Sequence, residues 1–333
     1  MTTGLHRRRL LTVLPALALL PLARPARAQI DQSVRTIRIV VPFAAGGVPD
    51  VVARVIAEPL SRILEKTVIV ENRPGAGGTL GATAVARSPA DGSTLFIGTS
   101  AFILNKALNP ALPYDPVADF TSICEVANSP NVFVVGAKLG ISSMAEFISY
   151  AKSRTDGVSY ASPGIGTTPQ LAVELLRVRA GLPLVHVPFN NAPQIIQALD
   201  TGVVPFSCAA APLVQAHVAS GALKALAVTS AKRWAGMPNV PTMAEVGFPD
   251  FVLDTMIMLA APAHLDPSVR KQLSDATQAA LKQADVRSML ERVGFDVVAR
   301  SADQLDARIR SEVILWHDIV RDTQAAAKFQ PKP

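Results

Sequence analysis

Two glycine-rich turns carry the residues best placed to do chemistry in this chain. Phe43, Ala44, Ala45, Gly46, Gly47, Val48, Pro49 and Asp50 follow one run of β-branched residues; Ser162, Pro163, Gly164, Ile165, Gly166, Thr167, Thr168 and Pro169 follow another. Each turn opens a segment of helical periodicity, so each is expected to leave backbone N–H groups unpaired at a helix N-terminus, where the macrodipole favours an anion. Glycine lets the backbone approach a guest closely or adopt a positive φ, and for either reason Gly47 should not tolerate a side chain. Thr167 and Thr168 add hydroxyls at the positive end of the second helix. A carboxylate suits such a place in size and charge. The alternative is a pair of ordinary strand-to-helix turns, with Asp50 and Thr168 as plain N-caps. Two such turns in different halves of the chain favour the first reading, because they can close on one ligand from two sides.

Signatures of catalysis are missing from the sequence. It contains no HExxH, CxxC, GxSxG or GxxxxGK[ST] pattern. The run GAGGTLG at 75–81 approaches a dinucleotide fingerprint, but its last glycine falls one place late and it follows Asn72, Arg73 and Pro74 rather than a tight strand-to-helix turn. Ser149 and Lys152 have SxxK spacing without the companion motifs of that chemistry. The histidines, His6, His186, His217, His264 and His317, fall in unrelated segments and form no i, i+4 pair. No catalytic residue, metal or cofactor is therefore expected. An exported enzyme acting on a carboxylic acid would need an acid and a base together, and the two turns offer only Asp50.

The elements that must position the turns alternate short β-branched runs with amphipathic segments, the pattern of βαβ units and a mostly parallel sheet, so the class is α/β. Strands are expected at 37–41, 68–71, 94–98, 121–126, 132–135, 158–161, 184–187, 205–209, 223–229 and 256–260, with helices between them. After the first turn, Val51, Val52, Val55, Ile56, Leu60, Ile63 and Leu64 recur at helical spacing. Pro59 lies within that helix and should kink it or split it. Ser143 with Glu146, and Ser301 with Gln304, have capping-box spacing. Gly202 and Gly221 stand where helices at about 192–201 and 212–220 should end.

With 333 residues, 49% hydrophobic and 17% charged, the chain is long enough for two α/β units with separate cores. Its formal charge of +6 is concentrated at the start: residues 1–28 contain five Arg and no Asp, Glu or Lys, so the remainder carries only +1. That balance gives no reason to expect nucleic-acid binding. The same segment has a basic stretch from His6 to Arg9, an apolar run from Leu10 to Leu22 and small residues at Ala26 and Ala28, the three parts of a secretory signal peptide. Cleavage after Ala28 is expected, leaving a soluble exported chain that begins at Gln29. The apolar run is too short for a membrane span and is interrupted by Pro15 and Pro21. The arginines at 7–9 leave both the general and the twin-arginine export routes open. Cys124 and Cys208 can pair in an oxidising compartment or stand as two buried thiols.

Beyond these local readings, the blocks VPFAAGGVPDVVAR (41–54), VENRPGAGGTLGA (70–82), DGSTL (91–95), LPYDPVADF (112–120), YASPGIGT (160–167), VHVPF (185–189), LAVTS (226–230) and NVPTMAEVG (239–247) occur in order and at spacing that resembles the Bug family. These are the substrate-binding receptors of tripartite tricarboxylate transporters. The resemblance thins after about Pro262. It implies a two-lobed type II periplasmic binding protein fold with a ligand cleft between the lobes. Domain 1 would be discontinuous, 29–126 plus 248–333, domain 2 would be 127–247, and the crossovers would lie near 121–126 and 248–255. The two turns would then hold a ligand carboxylate through backbone N–H groups and hydroxyls, making Phe43, Ala44, Ala45, Gly46, Gly47, Asp50, Ser162, Gly164, Gly166, Thr167 and Thr168 candidate ligand-binding residues. The loop 98–105 adds Thr99, Ser100 and Asn105, and Phe189 faces them from the other lobe. The implied protein is a periplasmic monomer that performs no chemistry and hands a small organic acid to membrane permease subunits, or to a signalling partner.

Several positions depart from the family pattern. Phe189, Asn190 and Asn191 stand where the family usually has tyrosine, lysine and glycine, Gly202 to Pro205 replace a Gly-Gln-Val-Asp run, Gln170 replaces a common histidine, and Pro49 replaces a small residue. Neither turn contains Lys or Arg. A second buried carboxylate would need its own donors or cations to offset lost hydration, whereas Phe43, Phe102 and Phe189 offer apolar surface and Asn190 or Asn191 could satisfy a neutral polar group. A monocarboxylate with a neutral or aromatic body is therefore expected to bind better than citrate.

Overall fold

The computed structural model describes residue 30 and residues 33–189 and 192–323; the expected signal peptide and cleavage point before Gln29, and Asn190 and Asn191, lie outside the described residues. The chain begins with β1 (Thr36–Val41), α1 (Val48–Leu64), β2 (Thr67–Asn72), α2 (Thr79–Ala86), β3 (Thr94–Thr99), α3 (Ser100–Leu108) and β4 (Phe120–Ser129). Pro130 then leads directly into a second set: β5 (Asn131–Gly136), α4 (Met144–Lys152), β6 (Val158–Ser162), α5 (Thr168–Ala180), β7 (Leu184–Pro188), α6 (Ala192–Thr201), β8 (Phe206–Ala210), α7 (Ala211–Ala219) and β9 (Leu223–Val228). The chain returns through β10 (Thr255–Pro262), α8 (Pro267–Lys282), α9 (Ala284–Arg292), β11 (Asp296–Arg300) and α10 (Ala302–Thr323).

These strands form two sheets, ordered β11-β4-β10-β3-β1-β2 and β7-β6-β8-β5-β9. β1 runs parallel to β2 and β3, as β6 does to β7 and β8. Each sheet also holds one antiparallel strand that arrives from the other: β10 lies between β3 and β4, and β5 between β8 and β9. The result is a two-lobed α/β fold in which both lobes repeat one strand order. In parallel βαβ units the turns that leave the C-terminal ends of the strands gather at one edge of the sheet, and ligands bind there. β4 runs to Ser129, three residues beyond the expected strand, so the first crossing falls at Pro130. β11 is absent from the expected strands; it is a five-residue edge strand paired only with β4, too short to carry its own periodic signal.

Pro59 does not split its helix. α1 is continuous from Val48 to Leu64 with Pro59 buried inside it. Its face, including Val52, Ile56 and Leu60, is buried in one cluster with Ile37, Ile39, Ile97 and Leu273. Burying several aliphatic side chains at ~1.5–3 kcal/mol each outweighs the ~3 kcal/mol cost of an internal proline. The box at Ser301 and Gln304 is reciprocal, with Ser301 N–H donating to Gln304 Oε1 and Gln304 N–H to Ser301 Oγ. At Ser143 the box is displaced by one residue: Ser143 Oγ accepts from Glu146 N–H, but the Glu146 carboxylate accepts from Ser142 N–H. Cys124 and Cys208 are both buried free thiols, on strands of different sheets.

Buried hydrogen bonds stitch the two crossings together. Asn131 N–H donates to Thr229 Oγ1 (2.9 Å), and Asn131 Nδ2 (2.6 Å) and Thr229 Oγ1 (2.9 Å) both donate to the Leu253 carbonyl. Beside them, Asp254 Oδ1 is sealed from solvent without a hydrogen-bond partner. Burial pushes the Asp254 carboxyl up to about 6 against the attraction of Arg308, with Asp296 and Glu312 adding to the rise. The folded protein thus binds more protons than the unfolded chain between the ordinary value of 3.8 and about 6, so stability falls as pH rises through that window. Asp254→Asn is expected to be more stable than the wild type at pH 7.5, by on the order of 2 kcal/mol, and to lose that advantage by about pH 4. Denaturant unfolding of both proteins across this range checks it; a difference independent of pH would contradict the assignment.

Candidate functional site

Between the lobes lies a cleft of about 520 Å³. Its walls are the beginnings of five helices. Residues 43–49 contribute the turn into α1, Thr99 and Ala101 the start of α3, and Pro163 with Thr167, Thr168 and Pro169 the start of α5. Pro193 and Gln194 come from the start of α6, Ala210 and Leu213 from that of α7, and Thr255 from the end of the second crossing. No described residue lining the cleft is charged. The electrostatics of the site therefore come from the positive ends of converging helices, each equivalent to roughly half an elementary charge.

Three of these helices have no side-chain cap: α1 begins at Gly47, α7 at Ala210, and α5 at Thr167, whose hydroxyl donates to the Gly164 carbonyl (2.8 Å) instead of accepting from the helix. Proline occupies the second position of α1, α5, α6 and α7, at Pro49, Pro169, Pro193 and Pro212. A proline there removes an N–H that would need a partner and presets the backbone for the helix. On α5, Thr168 Oγ1 is buried and has no hydrogen-bond partner. A buried polar atom left unpaired in a cleft wall is costly unless a guest satisfies it. α3 differs, because Thr99 Oγ1 caps it by accepting from Ala101 N–H (3.3 Å).

The structure brings Phe43, Ala44, Ala45, Gly46, Gly47, Thr99, Thr167 and Thr168 together in the cleft wall. Seven other candidates stand outside it. Asp50 is the third residue of α1, and its carboxylate turns back to accept from Gly46 N–H (2.8 Å), Arg54 and Asn72. It buttresses the turn from behind rather than facing a guest. Ser100 is buried against the second crossing, accepting from Met256 N–H (3.1 Å). Asn105 donates to the Gly77 carbonyl (3.0 Å) and abuts Gly166, so these residues close the edge of the cleft where the lobes touch. Ser162 is buried, its Oγ 2.7 Å from His186 Nε2 and within hydrogen-bond distance of Gly164 N. Neither residue of this serine–histidine pair lines the cleft, and the pair braces the turn. Phe189 packs on the second lobe's own core, with its N–H on the Ser162 carbonyl. The positive-φ reason offered for Gly47 also fails: its φ is −73°, and the left-handed residue of the turn is Gly46, at φ 80°.

Several lining residues were not expected from the sequence: Val48, Pro49, Ala101, Pro163, Pro169, Pro193, Gln194, Ala210, Leu213 and Thr255. The repeated proline two residues into a helix was a usable signal for four of the five walls. Thr255 had none, since nothing local distinguishes it. The glycine run at 75–81 finds its explanation in packing: a Cβ on Gly81 would lie 2.9 Å from Pro42 Cα, and one on Gly77 would lie 2.9 Å from the Ile165 carbonyl.

A cleft with no charged side chain among its described lining residues, set between two lobes of matching strand order and walled by helix N-termini, defines a solute-binding receptor. The chain belongs to the tripartite tricarboxylate transporter receptor family, whose model matches residues 52–324 and so extends well past the point where the eight blocks end. It is 35% identical over 296 residues to the protein BugT of Bordetella pertussis, covering 88% of this chain and 91% of that one. Among solved structures it resembles the periplasmic binding protein BugD at 30% identity and a TM-score of 0.82, over 87% of this chain and 98% of the other. It also resembles MatC of Rhodopseudomonas palustris with bound malate, at 33% identity and a TM-score of 0.81, over 86% and 99%. A further R. palustris protein, solved with adipate, matches at 29% identity and a TM-score of 0.83, over 88% and 99%. The protein is thus a solute-binding receptor of the periplasmic type and not an enzyme. Among the described residues, no helix is long and apolar enough to cross a membrane.

Proposed function

We propose that the protein binds a small monocarboxylate with a neutral body in the periplasm and presents it to the membrane permease subunits of a tripartite tricarboxylate-type transporter. The observation that carries this reading is the absence of any charged side chain among the described residues of the cleft wall. One carboxylate can be held by uncapped helix N-termini and by Thr99 and Thr168. A second, equally buried, would give up several kcal/mol of hydration with no cation to offset it. Relatives solved with malate and adipate hold dicarboxylates; this chain's wall is suited to a different second end. Of the three phenylalanines considered, only Phe43 lines the cleft, while Phe102 is stacked on Tyr114 in the core. Aliphatic residues and prolines, among them Val48, Pro163, Pro169, Pro193 and Leu213, supply the other apolar surface, which favours a neutral body over a specifically aromatic one.

In the same reading the soluble monomer closes its lobes, 29–126 with 248–333 and 127–247, on the ligand. Calorimetry on protein purified without refolding tests the ligand class. Aliphatic and aromatic monocarboxylates are expected to bind at least about tenfold more tightly than citrate. Thr168→Val should weaken the best of them by about 1–2 kcal/mol, the worth of one hydrogen bond to a charged group. Tight citrate binding with no response to monocarboxylates would overturn the assignment.

A further inference from the structure

Four threonines line the cleft, and the hydrogen bonds around them decide what each can offer a ligand. Thr99 Oγ1 accepts from Ala101 N–H, which leaves its proton free to donate. Thr168 Oγ1 has no partner and can do either. Thr167 Oγ1 lies 2.8 Å from the Gly164 carbonyl, an acceptor only, so its proton is committed.

Thr255 is settled by a longer chain of constraint. The Leu253 carbonyl can only accept, so the Asn131 side chain must turn its Nδ2 toward it, at 2.6 Å. That orientation leaves Asn131 Oδ1 facing Thr255 Oγ1 at 3.1 Å. Oδ1 cannot donate, so the threonine hydroxyl must, and only lone pairs remain on Thr255 Oγ1. Asn131 is fully buried, with its own N–H held by Thr229 Oγ1, and has no room to flip. The cleft therefore contains donors at Thr99, Thr168 and the helix N-termini, and hydroxyls left with lone pairs alone at Thr167, beside those donors, and at Thr255, on the crossing.

From this division we infer that the ligand carries, besides its carboxylate, an uncharged hydrogen-bond donor that Thr255 Oγ1 accepts, and that Thr255 is a specificity-determining residue. The inference rests on the monocarboxylate reading above and narrows it to hydroxy-acids or amide-bearing acids. A second carboxylate would meet an oxygen with no proton to give. An ether or ketone would fail there for the same reason. Thr255 also belongs to the hydrogen-bonded crossings, so a ligand donor seated on it touches the segment that joins the lobes.

Isothermal calorimetry with matched sets of acids separates the possibilities. Hydroxybutyrate, hydroxyhexanoate and hydroxybenzoate isomers are each compared with the parent acid lacking the hydroxyl and with the methyl ether. At least one hydroxy-acid is expected to bind about tenfold more tightly than both its parent and its ether, the worth of one hydrogen bond. Thr255→Val should abolish that preference, and Thr255→Ser should retain it. An ether or parent acid that binds as well as every hydroxy-acid on the wild-type protein overturns the inference without reference to any variant's folding. A preference that survives in a folded Thr255→Val protein also overturns it. If no acid of any set binds, the monocarboxylate reading itself fails, and the role of Thr255 falls with it.

Discussion

Asp50→Ala is expected to lower affinity for a monocarboxylate by about 10–100-fold and to cost about 2–3 kcal/mol of stability, although Asp50 does not line the cleft. Its Oδ2 accepts from Gly46 N–H (2.8 Å) and Arg54 Nε (3.0 Å), and its Oδ1 accepts from Asn72 Nδ2 (2.9 Å). The same Asn72 amide reaches the Phe43 carbonyl at 3.0 Å. One carboxylate thus holds both the start and the middle of the turn whose backbone must stay aimed at the ligand, and without it the free N–H groups lose their common direction. Burial pushes the Asp50 carboxyl up, but the hydrogen bonds from Arg54, Gly46 and Asn72 and the Arg54 charge together hold it below the ordinary carboxylate range. With a folded-state pKa lower than the unfolded one, its stabilising effect is complete above the ordinary value of 3.8 and is lost as pH falls through the lower, folded-state value. Affinity between pH 5 and 8 should therefore show no contribution from Asp50 titration. Calorimetry and denaturant unfolding of the alanine variant check both effects; wild-type affinity in that variant would show that the turn needs no buttress.

Glu125→Ala should be more damaging to stability, by about 3–5 kcal/mol, with little direct effect on ligand contacts. Glu125 is fully buried on β4 and accepts from Arg300 Nη1 (2.8 Å) and from Arg308 Nη1. Arg308 also donates to Asn128 Oδ1 (3.0 Å) and to Glu312 Oε1 (2.9 Å), and Glu312 Oε2 accepts from Trp316 Nε1 (3.1 Å). This chain of charges fastens β11 and α10 to β4, close to the first crossing. Removing its centre leaves the two arginines without their shared counter-charge and opens a cavity in the sheet. Glu125→Gln keeps the shape and one acceptor and should cost less. Equilibrium unfolding of the two variants gives the order, and an alanine variant as stable as wild type would mean that the network contributes nothing net.

How far the site could be read in advance depends on the range of the interactions that make it. The turns at 43–49 and 163–169 were legible because glycine, proline and threonine act on their own backbone within a few residues. The direction of Asp50 was not, since its partner Asn72 arrives on β2, placed beside it by the β1–β2 register. Pro59 looked disruptive because a local rule counts the lost hydrogen bond and cannot count the buried face. β11 and the Glu125 network went unseen for a related reason: residues 125, 300, 308 and 312 are neighbours only after the chain has crossed between lobes twice.

The sequence by itself determined the alternation of strands and helices, the α/β class and the places where helices begin without caps, because hydrophobic period, glycine and proline specify local backbone. Through its ordered blocks it also carried the family. The tertiary structure alone decided that five helix N-termini meet at one cleft, that Asp50, Ser100 and Ser162 turn away from it, and that Thr255 lines it with its hydroxyl proton already given to Asn131. That last property hangs on hydrogen bonds from Asn131 to Leu253 and from Thr255 to Asn131, spanning 122 and 124 positions. Which atom a hydroxyl donates to is set by whatever lies within about 3 Å of it, and over such separations only the folded chain settles that.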